Sequence, residues 1–112
     1  MNVNVRQRNG VTILDLKGKI TIGSGDLALR NAVQEVINSG ATQVLINMGD
    51  VTTIDSSGIG ELVSAYTTAA NRGIKLRLYN LPAKVTDILT ITQLITVFDV
   101  YDSEDEAIRS FA

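Results

Sequence analysis

The N-terminal part of the chain contains two short runs in which apolar and polar residues alternate. Val3 and Val5 alternate with polar neighbours, and Val11–Leu16 forms a second run rich in β-branched and aliphatic residues. Such alternation is typical of strands with one buried face. Asn9-Gly10 lies between the two runs and is the strongest two-residue signal for a tight turn. The chain is therefore predicted to open with an antiparallel β-hairpin.

Beyond the hairpin, segments with helical spacing alternate with short apolar runs. Two helices are predicted to end at Gly40 and Gly73, since glycine favours the position that follows a helix, and Pro82 opens a third. The continuous run 44–46 is typical of a strand covered on both faces, and 74–78 alternates like a strand with one wet face. The predicted apolar helix faces are Leu29, Ala32, Val33, Val36 and Ile37, then Ile59, Leu62, Val63, Tyr66, Ala69 and Ala70, then Val85, Ile88 and Leu89.

The C-terminal segment completes the pattern. Val97, Phe98 and Val100 are predicted to form a brief last strand, and the capping-box spacing of Ser103 and Glu106 predicts a final helix. The order β-β-α-β-α-β-α-β-α implies parallel strands joined by right-handed crossovers. We predict an α/β fold in which one domain spans 1–112. Its sheet is mixed and mostly parallel, with an N-terminal antiparallel hairpin and about four helices packed mainly on one face.

Composition narrows the possible chemistry. The 112 residues are 45% hydrophobic and 20% charged, which suits one packed core, and the net charge of −2 argues against nucleic-acid binding. The chain contains no cysteine and no histidine, which excludes disulfides, thiol nucleophiles, the usual zinc ligands and imidazole acid–base catalysis. We therefore expect no metal, no cofactor and no enzyme activity. The N-terminus lacks a signal-peptide pattern and no apolar run approaches ~20 residues, so we expect a cytoplasmic protein without direct membrane insertion.

The most informative stretch precedes the second helix. It reads Ile54-Asp55-Ser56-Ser57-Gly58-Ile59-Gly60 and follows the polar residues that come after the buried strand. A hydroxyl at this position lies beside free backbone N–H groups and the positive end of the helix dipole, both of which stabilise a phosphate. The alternative is that Ser56 or Ser57 is only the N-cap of the helix, and local chemistry leaves both interpretations open.

The segment Val44–Leu62 and the order of elements resemble the STAS domain family over nearly the whole chain. The stretch 54–60 is similar to the family's Asp-Ser-Ser/Thr/Ala-Gly-Leu-Gly signature. In stand-alone members, which are anti-sigma factor antagonists, the serine directly after the aspartate is phosphorylated by an anti-sigma factor that is also a serine-protein kinase, and a serine phosphatase reverses the reaction. The resemblance therefore implies that Ser56 is the phosphorylated residue and that Asp55 helps to shape its site.

The resemblance also implies a partner-binding surface around this serine. Two residues depart from the family pattern: Thr21 takes the place of an acidic loop residue, and Asn47 stands where many members have aspartate. Gly58 and Gly60 are expected to permit close approach of a partner's backbone. The predicted contact residues are Asp55, Ser56, Ser57, Gly58, Ile59, Gly60, Glu61, Thr21 and Ser24.

Three other polar clusters receive structural interpretations. The run Gly23–Asp26 lacks the ending of a nucleotide-binding loop, so it is interpreted as a turn in which Ser24 or Asp26 caps the first helix. Asp50 and Asp55 are interpreted as solvated turn carboxylates, because no histidine is available to form a nucleophile–base pair. The acidic run 103–106 is attributed to the dipole of the last helix.

Three functional hypotheses follow. The first is a partner switch: the unphosphorylated chain binds an anti-sigma factor and frees a sigma factor, and phosphorylation of Ser56 releases it. The second keeps the fold as a docking subunit of a transporter ATPase or of a multi-protein sensor complex. The third is a small α/β enzyme or ligand-binding domain. The intact Asp55-Ser56-Ser57-Gly58 sequence favours the first hypothesis, and the absence of histidine and cysteine weakens the third.

Overall fold

A five-stranded sheet, in which the strands follow chain order, forms the centre of the molecule. The computed structural model describes all of residues 1–112. Strand β1 runs antiparallel to β2, and all other neighbouring strands are parallel. The predicted α/β class, N-terminal hairpin and number of helices are confirmed. The elements are β1 (Asn2–Arg8), β2 (Val11–Ile20), α1 (Gly25–Asn38), β3 (Gln43–Ile54), α2 (Ser56–Asn71), β4 (Lys75–Tyr79), α3 (Ala83–Ile91), a 3₁₀ turn (Leu94–Thr96), β5 (Val100–Tyr101) and α4 (Glu104–Ser110).

The hairpin turn has the backbone that its sequence predicts. Asn9 and Gly10 have φ values of 51° and 78°, and both are positive as a type I′ turn requires. This turn matches the twist of the flanking strands, so Arg8 pairs directly with Val11.

The alternation of side chains along the strands divides the core into two clusters. Leu14, Ile46 and Leu78 lie in a cluster of 21 buried residues that α1, α2 and α3 cover. Ile13 and Leu45 point to the opposite face, where α4 covers a smaller cluster of 7 buried residues. The prediction that the helices pack mainly on one face is therefore confirmed, with α4 as the exception.

Strands β2 and β3 extend beyond the apolar runs that predicted them. Their pairing continues through two register shifts as far as Ile20 opposite Ile54. Within the polar stretch after residue 49, Val51 and Ile54 are buried, so the polar residues between them belong to a strand rather than to a loop. The extension brings the ends of β2 and β3 side by side immediately before Ser56.

The predicted last strand is wrong in its position. Only Val100 and Tyr101 pair with β4, whereas Phe98 is buried in the main core with its ring edge-on to Tyr66 at a centroid distance of 5.5 Å. Phe98 was predicted as part of the strand, but it packs the segment before β5 against α2.

The acidic start of α4 takes part in a network of ion pairs, so its attribution to the helix dipole alone is wrong. Arg6 donates to Asp15, with 2.6 Å between Nε and Oδ2, and to Glu104. Arg8 donates from Nη1 to Glu104 Oε2 at 2.7 Å, and the Tyr79 hydroxyl donates to Glu104 at 2.8 Å. These contacts attach the last helix to the β-hairpin at the other end of the chain.

Asn47 extends the same network along the sheet. Its Nδ2 donates to Asp15 Oδ1 at 2.9 Å, and its Oδ1 accepts the N–H of Gly49 at 3.0 Å. An aspartate at this position would lack the donor and would place a second carboxylate against Asp15. The amide is therefore the side chain that fits this position in this chain.

We predict that Leu62→Ala lowers the free energy of unfolding by roughly 2–5 kcal/mol, because the side chain is fully buried in the main core. Leu62 was predicted as a core residue and is confirmed as one, while Val63 is half-buried against the same cluster. Val63→Ala is the matched control and should cost less. Urea denaturation measures both changes, and equal losses would contradict the assigned helix face.

The second prediction concerns pH. The hydrogen bond from Arg6 lowers the pKa of Glu104 from its ordinary 4.5 to about 2, with Tyr79 and Arg8 contributing and burial opposing. Between these values the unfolded state binds more protons, so the contribution of Glu104 to stability is complete above about pH 4.5 and is lost toward pH 2. Glu104→Gln should therefore flatten the fall in stability over this range in urea denaturation at several pH values. Glu106→Gln, on the exposed side of α4, is the control and should leave the loss of stability at low pH unchanged. If both variants reduce this loss equally, its assignment to Glu104 is contradicted.

Candidate functional site

Ser56 is the first residue of α2 and follows directly on the junction between β3 and that helix. The side chain is exposed, and neither of the side-chain hydrogen bonds in this loop uses its hydroxyl. Ser57 is half-buried at the next position. The structure thus gives the two serines different environments, with Ser56 the more accessible.

Asp55 is the N-cap of α2. It has extended backbone angles, with φ −112° and ψ −173°, and its Oδ1 accepts the N–H of Gly58 at 3.0 Å. The alternative that Ser56 or Ser57 caps the helix is therefore wrong. The interpretation of Asp55 as a solvated turn carboxylate is wrong for the same reason. Because the aspartate caps the helix, the hydroxyl of Ser56 is left uncommitted.

The other oxygen of the Asp55 carboxylate holds the loop between β2 and α1. Oδ2 accepts the N–H of Ile22 at 3.0 Å, and the backbone N–H of Asp55 donates to the carbonyl of Ile20 at 3.3 Å. The N–H groups of Ile22 and then Gly58 lower the pKa of Asp55 below its usual value. One side chain therefore joins the start of α2 to the loop before α1.

Gly58 allows α2 to begin close to the end of β2. A Cβ atom on Gly58 would lie 2.2 Å from the carbonyl oxygen of Ile20 and 2.8 Å from side-chain atoms of Ile20 and Ile54. Gly58 is therefore needed for packing within the domain, and Ile59 beside it is also buried. Gly60 is exposed, and a Cβ there would meet nothing within 4 Å. Of the predicted contact glycines, only Gly60 faces solvent.

The loop before α1 carries the predicted residues Thr21 and Ser24. Ser24 occupies the N-cap position of α1, but its side chain makes no capping hydrogen bond. The carbonyl of Thr21 accepts the N–H of Asp26 at 3.1 Å. Asp26 is buried, and its Oδ1 accepts the N–H of Leu27 at 2.8 Å. Through Ile22, this loop lies beside Ser56.

Glu61 is paired with a residue that the sequence did not single out. Arg30 of α1 donates from Nε to Glu61 Oε1 at 3.1 Å, and its Nη2 donates to the same oxygen. The contact joins α1 to α2 at a position five residues after Ser56 in α2. Local patterns place each residue on its own helix, but the side-by-side packing of the two helices is needed to bring them together.

Two further observations concern groups that could bind a metal ion and helices that could cross a membrane. No group of three or more His, Cys, Asp or Glu side chains lies close enough together to hold a metal ion. None of the helices combines the length and the apolar character that crossing a membrane requires.

The third prediction tests the double role of Asp55. In Asp55→Asn the side-chain oxygen is still able to accept from Gly58, but the amide nitrogen cannot accept from Ile22. We therefore expect faster hydrogen exchange at the Ile22 amide with little change at Gly58, as measured by NMR. In Asp55→Ala both amides should exchange faster. Ser103→Ala, which removes the cap of α4, is the control and should affect neither amide. Unchanged exchange at Ile22 in both Asp55 variants would contradict the assigned bond.

Comparisons with known proteins show which family the chain resembles in sequence. The sequence model of the STAS domain family matches residues 2–107. The anti-sigma-B factor antagonist of Bacillus subtilis is 28% identical over 100 residues, which are 89% of this chain and 90% of the relative.

Solved structures of anti-sigma factor antagonists have a similar fold. The crystal structure of an anti-sigma factor antagonist from Mycobacterium paratuberculosis has a TM-score of 0.86 at 20% identity, over 97% of this chain and 92% of that one. The Bacillus cell fate determinant SpoIIAA in its phosphorylated form has a TM-score of 0.74 at 18% identity, over 99% and 100% of the two chains. Together with the match over residues 2–107, these findings confirm the resemblance: the chain belongs to the STAS domain family.

Proposed function

We propose that this chain is an anti-sigma factor antagonist that works as a phosphorylation-controlled partner switch. Unphosphorylated, it binds an anti-sigma factor that is also a serine kinase, and so frees a sigma factor. Phosphorylation of Ser56 releases the partner, and a serine phosphatase restores binding. The observation that carries the proposal is that Asp55 caps α2, which leaves the Ser56 hydroxyl exposed and without a structural task. The names of the relatives support the choice of partner.

The start of α2 is able to accept a phosphate without rearrangement. The first N–H groups of a helix lack partners within the helix, and the helix dipole adds positive potential at this end. A phosphate on Ser56 would be stabilised by these groups and by water. The capping bond from Gly58 to Asp55 does not involve the serine, so phosphorylation leaves the cap in place. We therefore expect the fold to survive phosphorylation.

At the interface the same phosphate opposes binding. It adds about −1.5 to −2 charges near neutral pH, beside the carboxylate of Asp55. Removing that charge from water without a matching cation costs several kcal/mol, and each ~1.4 kcal/mol is a tenfold change in affinity. Release of the partner therefore follows from charge alone and needs no large conformational change.

A pull-down of the unphosphorylated protein from its own cell extract tests the choice of partner. With ADP present, an anti-sigma factor kinase should be retained, because no phosphate is transferred. With ATP present, the kinase should phosphorylate the chain and be released. Retention that is equal under the two conditions, without modification of the chain, would favour a docking subunit of a transporter ATPase or of a sensor complex.

The fourth prediction identifies the phosphorylated residue. Ser56→Ala should bind the kinase constitutively and resist phosphorylation, whereas Ser56→Asp should remain folded and bind weakly. Ser57→Ala is the matched control and should still be phosphorylated. Mass spectrometry after incubation with the kinase and ATP locates the phosphate. Phosphate on Ser57 or Thr53 with Ser56 unmodified would overturn the assignment.

A further inference from the structure

Three carboxylates near Ser56 are engaged within the protein. That of Asp55 accepts two backbone N–H groups, and Asp26 is buried while accepting a third. The side chain of Glu61 is only 12% exposed and is paired with Arg30. The loop position that is often acidic in the family holds Thr21. Asp55, Asp26 and Glu61 are therefore already hydrogen-bonded or paired when a partner approaches Ser56.

Arg30 on α1 is a charged side chain that its pair with Glu61 uses only in part. Half of its side chain is exposed, at 50%. Both hydrogen bonds to Glu61 come from Nε and Nη2 and end on the same oxygen, so Nη1 has no acceptor among them. An arginine is always charged, and its planar guanidinium is suited to carboxylate acceptors. Helix α1 thus presents a cationic donor whose orientation is held by the contact with α2.

Two large apolar side chains are exposed in the loop before α1 and in its first turn. Ile22 is 75% exposed, and its backbone N–H is fixed by Asp55. Leu27 is 43% exposed in the first turn of α1 and precedes Arg30 by three residues, which places the two side chains on one helix face. Because the Ile22 backbone is already fixed, a partner that buries this side chain loses little backbone entropy.

We propose that Ile22, Leu27 and Arg30 extend the partner-binding surface from Ser56 onto α1, and that the partner covers them with apolar side chains around a carboxylate. The carboxylate accepts from Nη1 of Arg30, and the apolar side chains bury Ile22 and Leu27. This inference rests on the proposed function, since the partner is the anti-sigma factor kinase. Charge complementarity favours this occupant, because Arg30 is half exposed and its Nη1 has no acceptor in the hydrogen bonds to Glu61.

The position of Arg30 connects this surface to the phosphorylation switch. Its partner Glu61 lies five residues after Ser56 in α2, which is about 7.5 Å along the helix axis. Five residues also turn the helix by about 140°, so the two side chains are farther apart than this axial rise, which is already about one Debye length at physiological ionic strength. A phosphate on Ser56 therefore adds a partly screened repulsion toward a partner carboxylate that Arg30 holds. The arrangement favours binding before phosphorylation and opposes it afterwards.

Charge reversal at Arg30 is the first test. Binding of each variant to the purified anti-sigma factor kinase is measured by calorimetry with ADP present, so that no phosphate is transferred. Arg30→Glu should weaken binding by about tenfold or more. Arg72→Glu makes the same change in net charge at the far end of α2 and is the matched control, with an expected change below about twofold.

Glu61→Gln separates partner recognition from a structural ion pair. If the pair only holds α1 against α2, its loss should weaken binding. In the proposed arrangement the substitution removes an anion beside Arg30, so binding of an acidic partner should become tighter by about two- to tenfold. Urea denaturation of every variant verifies that it is folded at the temperature of the binding measurement.

The apolar part of the surface has its own matched control. Ile22→Ser and Leu27→Ser should each weaken binding, whereas Ile91→Ser, at an 80% exposed position at the end of α3, should not.

The outcomes separate the two proposals. If the wild type and Ser56→Ala both bind the kinase but Arg30→Glu behaves like Arg72→Glu, or if Glu61→Gln binds more weakly, this inference fails and the proposed function stands. If the wild type binds no anti-sigma factor kinase, the proposed function fails and this inference fails with it.

Discussion

The two oxygens of the Asp55 carboxylate join two segments that are far apart in the sequence. One oxygen accepts from Gly58 and begins α2, and the other accepts from Ile22 and fixes the loop before α1. Both bonds depend on the parallel pairing that brings the ends of β2 and β3 together. They also depend on the absence of a side chain at Gly58, since a Cβ there would collide with the carbonyl of Ile20. The location of Ser56 is a consequence of this junction.

Charged side chains serve different purposes on the two faces of the sheet. On the face that α4 covers, Arg6 and Arg8 both donate to Glu104 and attach the last helix to the hairpin. These charges are used inside the fold, and pH acts on them through stability. On the face that α1, α2 and α3 cover, the side chain of Arg30 is half exposed. A change in the charge of this residue therefore affects an incoming partner rather than the core. The proposed switch thus uses other charges than the network that attaches α4.

Local patterns predicted the order of elements, the hairpin turn at Asn9-Gly10 and the cap of α4 by Ser103, because each depends on neighbouring residues only. They did not predict which of three adjacent polar residues caps α2. Aspartate and serine are equally suitable caps, and the choice depends on where β3 ends, which its pairing with β2 decides. The pairs Arg30–Glu61 and Arg6–Glu104 were missed for a related reason. Each joins separate elements, and such contacts follow from tertiary packing rather than from sequence spacing.

The loop before α1 bears on which partner is accepted. An acidic residue at the position of Thr21 would offer an anion to a partner, whereas in this chain the nearby carboxylates of Asp26 and Asp55 are both engaged with backbone N–H groups. A cationic partner surface would therefore find only carboxylates whose oxygens are already hydrogen-bonded, and it would also face Arg30. Placing like charges together at an interface costs several kcal/mol and is a common means of rejecting the wrong partner. On the proposed function, Thr21 and Arg30 together select among related anti-sigma factors by the sign of charge that each presents.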